Sequence, residues 1–124
     1  MCLSAPVSFA AAAFLIPSGG FPLATTLKRD RRYAMLAALP ILLGLQQLME
    51  GFIWLTGSGV EPGGARVYSL VYMFFAWVVW PIWLPVSAYF LEPHRRRSAF
   101  LMFALAGAAL GSVQFIPYLV HEGW

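Results

Sequence analysis

The chain has 124 residues, of which 60% are hydrophobic and 10% are charged, and its mean hydropathy is +0.74. Soluble globular domains carry about 25% charged residues, and a small soluble domain leaves much of its surface in water. The composition therefore excludes a soluble globular domain and indicates a protein that a lipid bilayer solvates. The net charge of +3 does not indicate a nucleic-acid partner, because seven of the eight Lys and Arg residues lie in two short runs between apolar blocks.

Four apolar blocks follow one another along the chain, and each predicts a transmembrane helix. They cover approximately Ala5–Leu27, Tyr33–Leu55, Val67–Leu91 and Ala99–Val120. A helix of about 20 residues or more spans the roughly 30 Å hydrocarbon core of a bilayer. The strands of a membrane β-barrel would be shorter and would alternate in polarity, which these blocks do not. We therefore predict an all-α membrane fold, a four-helix bundle that forms one domain over residues 1–124.

The loops between the blocks predict the orientation of the bundle. The first loop, Lys28–Arg32, has four positive residues, the third, Glu92–Ser98, has three arginines, and the second, Thr56–Arg66, has one. Cytoplasmic loops of membrane proteins carry an excess of Lys and Arg. We therefore expect the first and third loops in the cytoplasm and both termini outside, in a multi-pass protein of the bacterial cytoplasmic membrane.

Two blocks contain residues that predict special helix geometry. The segment PSGGFP, from Pro17 to Pro22, predicts a kink or a break in the first helix, since proline and glycine both weaken a helix. The fourth block carries small residues at helical spacing, a pattern that lets helix backbones approach closely. These residues are Ala104, Gly107, Ala108, Gly111 and Ser112. We interpret them as a packing face within the bundle in preference to a dimer face.

Glu50 is the acidic residue that lies inside an apolar block, about five residues from the end of the second helix. An ionisable side chain within a membrane is costly and is a functional-site hypothesis by default. Gln46 and Gln47 lie about one turn earlier and form a polar stripe with Glu50. Two interpretations stay open: these groups hydrogen-bond neighbouring helices and hold the bundle together, or they form part of a binding site.

A binding site in the outer half of the membrane has two sets of candidate residues. Cys2, Glu50 and His121 offer a thiolate, a carboxylate and an imidazole, all of which ligate transition metals. The residues predicted to bind an organic cofactor such as a haem, a quinone or a pigment are Gln46, Gln47, Glu50 and Tyr72. We find no complete catalytic motif and assign no catalytic residue, so an enzyme is not the expected class.

The opening MCLSA and the later segment LPILLGLQQLMEG resemble an uncharacterised bacterial family of polytopic membrane proteins. Its members typically begin Met-Cys-Phe-Ser-Ala and carry a Gln-Gln-x-x-Glu-Gly element in the second helix. The residues that match are Cys2, Ser4, Ala5, Gln46, Gln47, Glu50 and Gly51, whereas Leu3 replaces the usual aromatic residue. The resemblance implies that Cys2 and Glu50 belong to a shared site. It also implies that this chain is shorter than typical members, which have further helices beyond the fourth.

Two functions are consistent with these features. The first is a small, non-enzymatic accessory or structural subunit of a larger membrane complex, with the lipid bilayer and other membrane subunits, or further copies of itself, as partners. The second is a membrane-embedded metal- or cofactor-binding redox protein with an outer site built on Cys2, Glu50 and His121.

Overall fold

The computed structural model describes residues 4–57 and 62–120 of the chain, and nearly all of these are helical. Four helices are long and apolar enough to cross a membrane. We number them α1 to α4, and they cover Ala5–Arg29, Arg31–Leu55, Gly64–Leu91 and His94–Val120. The predicted four-helix, multi-pass architecture is therefore confirmed.

Three of the four helices change geometry along their length. α2 begins with a 3-10 turn, Arg31–Tyr33, and continues as the α-helical segments Ala34–Ala37 and Leu39–Leu55. The α-helix that leads into α3 covers Pro62–Phe74, and α3 continues through a π-helical segment, Phe75–Val79, into the α-helical segment Trp80–Leu91. α4 begins with a 3-10 turn, His94–Arg96, before the α-helix Arg97–Val120.

The predicted break at PSGGFP is not observed, because α1 is helical without interruption from Ala5 to Arg29 and contains both Pro17 and Pro22. Proline keeps a backbone angle that suits a helix and removes one hydrogen bond, which a long transmembrane helix tolerates. Gly19 serves packing: a Cβ atom placed there would lie 2.7 Å from Ile41 Cγ1 of α2, whereas Gly20 faces open space. A bend of α1 at this segment stays a prediction.

The first two helices form an antiparallel pair in which glycines set the register. A Cβ atom at Gly44 would lie 2.6 Å from Ile16 Cγ1, and a Cβ atom at Gly51 would lie 2.7 Å from the ring of Phe9. α1 presents small buried residues to this contact, among them Ser8 and Ala12. The absence of a side chain at each glycine is what lets the two backbones come this close.

The last two helices form a second antiparallel pair, and here the glycines of α4 meet backbone carbonyl groups of α3. Gly107 packs against the carbonyl of Pro81, and Gly111 packs against the carbonyl of Trp77. In a regular α-helix these two oxygens would accept from the N–H groups at positions 81 and 85. Both positions are proline, which has no N–H group. The π-helical segment and the α4 glycines therefore coincide with carbonyls that have lost their regular donors.

Contacts between α2 and α3 join the two pairs. The large apolar side chains on the outer faces of the bundle stay exposed, as lipid contact requires. Examples are Phe14 and Phe21 on α1, at 73% and 79% exposure, and Met102 and Val113 on α4, at 69% and 71%. Two ends result: residues 28–33 and 92–97 form the basic end, and the region of Leu55, Gly64 and Val120 forms the opposite end.

Candidate functional site

The polar stripe of α2 is buried inside the bundle. Gln46 and Glu50, one helical turn apart, retain 7% and 4% of their exposure, and Gln47 is half-buried. The Oε2 atom of Glu50 is itself inaccessible. Burying an ionisable group away from water is costly. The position of this carboxyl inside the bundle therefore lowers the stability of the fold.

Gln46 connects α2 to α3 through an indole. The Nε1 atom of Trp80 donates a hydrogen bond to Oε1 of Gln46 at 2.7 Å. Closer to the basic end, Trp83 Nε1 donates to the backbone carbonyl of Met35 at 2.9 Å. These two bonds tie the helix pairs together, so the interpretation of the stripe as interhelical hydrogen bonding holds for Gln46.

Trp77 carries a further buried indole N–H on α3. It precedes Trp80 by three residues and lies in the π-helical segment Phe75–Val79. Its Nε1 atom is buried and has no hydrogen-bond partner within residues 4–57 and 62–120. A buried donor of this kind calls for an acceptor, and an atom of a bound ligand is one kind of acceptor.

A layer of aromatic rings lies between Glu50 and the opposite end. The ring of Phe52 meets Phe9 of α1 edge-on at 5.4 Å between centroids and stacks on Tyr68 of α3 at 5.0 Å. Tyr72 follows Tyr68 by one turn and is half-buried. The layer spans three helices and separates the level of Glu50 from that end of the bundle.

The predicted organic-cofactor residues lie on two neighbouring helices, and a common site for them stays a prediction. Gln46, Gln47 and Glu50 lie on α2, and Tyr72 lies on the face of α3 that carries Tyr68. Gln47, Glu50 and Tyr72 are each engaged in interactions of their own. The arrangement offers a carboxyl, two amides, a phenol and an indole N–H, which are groups that hydrogen-bond a ligand or hold a proton.

The predicted metal site has one member in the part of the chain that is described. Cys2 and His121 lie outside the described residues, and Glu50 is the member within them. Among residues 4–57 and 62–120 no group of three His, Cys, Asp or Glu side chains is arranged to hold a metal ion. A site built on Cys2, Glu50 and His121 stays a prediction.

Ser8, Trp77 and Trp80 are polar participants that the sequence did not single out as site residues. Ser8 is fully buried on α1, and its Oγ atom has no hydrogen-bond partner in the described part of the chain. The signal that could have found it is the stripe of small residues Ser8, Ala12 and Gly19, which recurs at helical spacing and marks the face toward α2. The tryptophans gave no such signal, since their aromatic neighbours in the sequence indicate packing equally well.

The comparisons with known proteins address the family and leave the site open. A model of a family of unknown function, DUF6629, matches residues 1–120. The chain belongs to this family. No curated protein matches it, and no solved structure matches it. The match agrees with the resemblance to an uncharacterised family and brings no activity with it.

Proposed function

We propose that this DUF6629 protein is a non-enzymatic accessory subunit that packs into a larger membrane complex through the exposed side of α4. The observation that carries the proposal is Gln114. This residue is exposed on the surface of α4, although it belongs to a span that is apolar enough to cross a membrane.

The depth of Gln114 makes lipid a poor neighbour for its amide. It precedes Val120 by six residues, which corresponds to about 9 Å along a helix axis, and Leu110 and Val113 beside it are 68% and 71% exposed. An amide without a hydrogen-bond partner in hydrocarbon costs several kcal/mol. A helix of another membrane protein that presents a polar side chain would satisfy it.

Ser112 offers a contrast on the same helix. It is also exposed, but its hydroxyl donates to the Ala108 carbonyl at 2.7 Å within α4. Ser112 therefore needs no partner from outside, whereas Gln114 is exposed and has no such bond within the described part of the chain. This difference supplies a matched pair of variants.

The test measures the size of the protein purified from its native membranes in mild detergent. Gln114→Leu, which keeps the side-chain volume and removes the amide, is expected to weaken the assembly about 3- to 30-fold, the range for one intramembrane hydrogen bond. Ser112→Ala is expected to leave it intact. Equal behaviour of Gln114→Leu and wild type would contradict the proposal. So would an assembly of the same size formed by this chain alone, since its partner would then be a second copy.

The proposal includes an orientation and a compartment. It places the basic end in the cytoplasm and both termini outside, because seven positive residues flank that end and one flanks the other. The membrane is the cytoplasmic membrane of a bacterium. Labelling of single-cysteine variants from outside the cell tests this orientation. A cysteine placed in the loop at residues 28–33 that reacts from outside would contradict it.

A second candidate function is cofactor binding in the outer half of the bundle, by Gln46, Gln47, Glu50 and Tyr72, with Cys2 and His121 as further metal ligands. The buried indole N–H of Trp77, which has no acceptor in the described part of the chain, favours it. Metal analysis and an absorption spectrum of the purified protein test it. A bound metal or chromophore that Glu50→Gln removes would support this candidate, whereas a colourless, metal-free protein would eliminate it.

A further inference from the structure

The outward face of α1 carries an open surface, here called the α1 groove, where the helix reaches the basic end. Phe21, Ala24, Thr25, Lys28 and Arg29 line it, and they recur at the spacing of a single helix face. The apolar part of the groove lies deeper in the span, and the two cations lie at its mouth. A groove of this composition runs from hydrocarbon to the headgroup level of a bilayer.

The polar chemistry of the groove is concentrated in its two cations. The Thr25 hydroxyl donates to the Phe21 carbonyl at 2.9 Å and is thus used within α1. Asp30, the acidic residue of the adjoining loop, accepts from the Arg32 backbone N–H at 3.0 Å and lies 3.6 Å from Arg32 Nε. In the described part of the chain no acidic group pairs with Lys28 or Arg29.

The second basic loop is built differently. Arg97 donates from Nε to the Glu92 carbonyl at 3.1 Å, and its guanidinium carbon lies 5.3 Å from the centre of the Tyr89 ring. Arg95 and Arg96 are exposed on a short 3-10 turn. This loop has the same kind of charge, but the groove that joins cations to an apolar floor belongs to α1.

We infer that the α1 groove is a binding site for an anionic phospholipid. The phosphate would bind Lys28 and Arg29, and an acyl chain would lie over Ala24 against the ring of Phe21, which is 79% exposed. A phosphate and two cations are complementary in charge, and an acyl chain covers an apolar surface that water cannot solvate. The site is independent of Gln114 and of the Glu50 region.

Native mass spectrometry of the detergent-purified protein tests this site, with phosphatidylglycerol, phosphatidylethanolamine of the same acyl chains, and inorganic phosphate as probes. We expect selective retention of phosphatidylglycerol. Lys28→Gln with Arg29→Gln is expected to weaken it about 30-fold, since each basic residue near a membrane surface strengthens binding about five-fold. Arg95→Gln with Arg96→Gln removes the same charge from the other loop and is expected to have little effect.

A second matched pair tests the apolar half of the groove. Phe21→Ala is expected to lower lipid retention, whereas Phe14→Ala, a 73% exposed ring on the same helix but outside the groove, is expected not to. If the Lys28/Arg29 and Arg95/Arg96 double variants lost equal amounts of lipid, general charge attraction would explain the binding. That result would contradict a specific site on α1. Displacement of the lipid by inorganic phosphate alone would identify phosphate as the ligand, and equal retention of both lipids would also contradict the inference.

Discussion

The two helix pairs of this protein reach close contact by different means. Between α1 and α2, the atoms that crowd the glycines are mainly side-chain atoms, as where the ring of Phe9 covers Gly51. Between α3 and α4, the crowding atoms are backbone carbonyls, those of Trp77 against Gly111 and of Pro81 against Gly107. A side chain can change its rotamer, whereas a carbonyl moves only with its helix. The α3–α4 interface is therefore less able to accommodate an added side chain than the α1–α2 interface.

The difference originates in the prolines of α3. Pro81 and Pro85 remove the regular donors of the two carbonyls that face α4, and the adjacent segment Phe75–Val79 takes up π geometry. Close Cα–H groups of glycine are weak hydrogen-bond donors that suit such oxygens. The face of α3 at Trp77 and Pro81 therefore fits only glycine, whereas α1 and α2 meet mainly through side chains.

The largest expected effect is at Gly111. Gly111→Ala would place a methyl group on the Trp77 carbonyl, and we expect a loss of about 3 kcal/mol in the free energy of unfolding, at the upper end of overpacking costs. Unfolding in mixed detergent and SDS, followed by circular dichroism, measures it. A loss below about 1 kcal/mol would mean that α3 and α4 can move apart easily. That result would contradict the conclusion that this interface tolerates substitution less than the α1–α2 interface.

An intermediate effect is expected at Gly51. Gly51→Ala should cost about 1 kcal/mol, because the Phe9 ring can move and alanine favours the helix. In a Phe9→Ala background the same substitution should cost nothing, since the obstructing ring is gone. The same unfolding assay applies, and a full cost that persists in the Phe9→Ala background would show that the obstacle is backbone here too.

A similar or smaller effect is expected from the bond that joins the two pairs. Gln46→Leu and Trp80→Phe each remove one side of the 2.7 Å hydrogen bond. A double-mutant cycle should give a coupling of about 0.6 to 1.7 kcal/mol, the range for interhelical hydrogen bonds in membranes. Additive losses would mean that the bond contributes nothing to the junction of the pairs.

The smallest effect is expected at Gly20, which serves as the control for every glycine substitution. A Cβ atom at Gly20 meets nothing within 4 Å. Gly20→Ala should therefore leave stability unchanged or raise it by up to about 1 kcal/mol through helix propensity. A clear loss in the unfolding assay would point to a bend in α1 that needs glycine at this position.

The four spans could be predicted from the sequence because length and apolarity determine what crosses a bilayer. Of the small residues of α4 that were predicted as an internal packing face, Gly107 and Gly111 perform that role, whereas Ser112 is exposed. The predicted break at PSGGFP was wrong, whereas a bend there stays a prediction, because a glycine that permits close approach and a glycine that permits a kink look alike in sequence. The π-helical segment was not predicted. Pro81 and Pro85 leave the carbonyls of Trp77 and Pro81 without their regular donors, and the contact of these carbonyls with α4 is not visible in the sequence.

The candidate site was predictable only in part. Glu50 and Gln46 stand out because polar side chains in an apolar span are costly, and both are buried as expected. The partner of Gln46 was not predictable, because the Trp80 contact depends on the register between α2 and α3. The predicted ligands Cys2 and His121 lie outside the described residues, so the metal site stays a prediction.

The most direct test of the central proposal is the mass of the wild-type protein purified from native membranes in mild detergent, with its metal content and absorption spectrum taken on the same fraction. An accessory subunit predicts a particle much larger than the 13.7 kDa chain that contains at least one other membrane protein. A lone chain, with or without a bound cofactor, would contradict it.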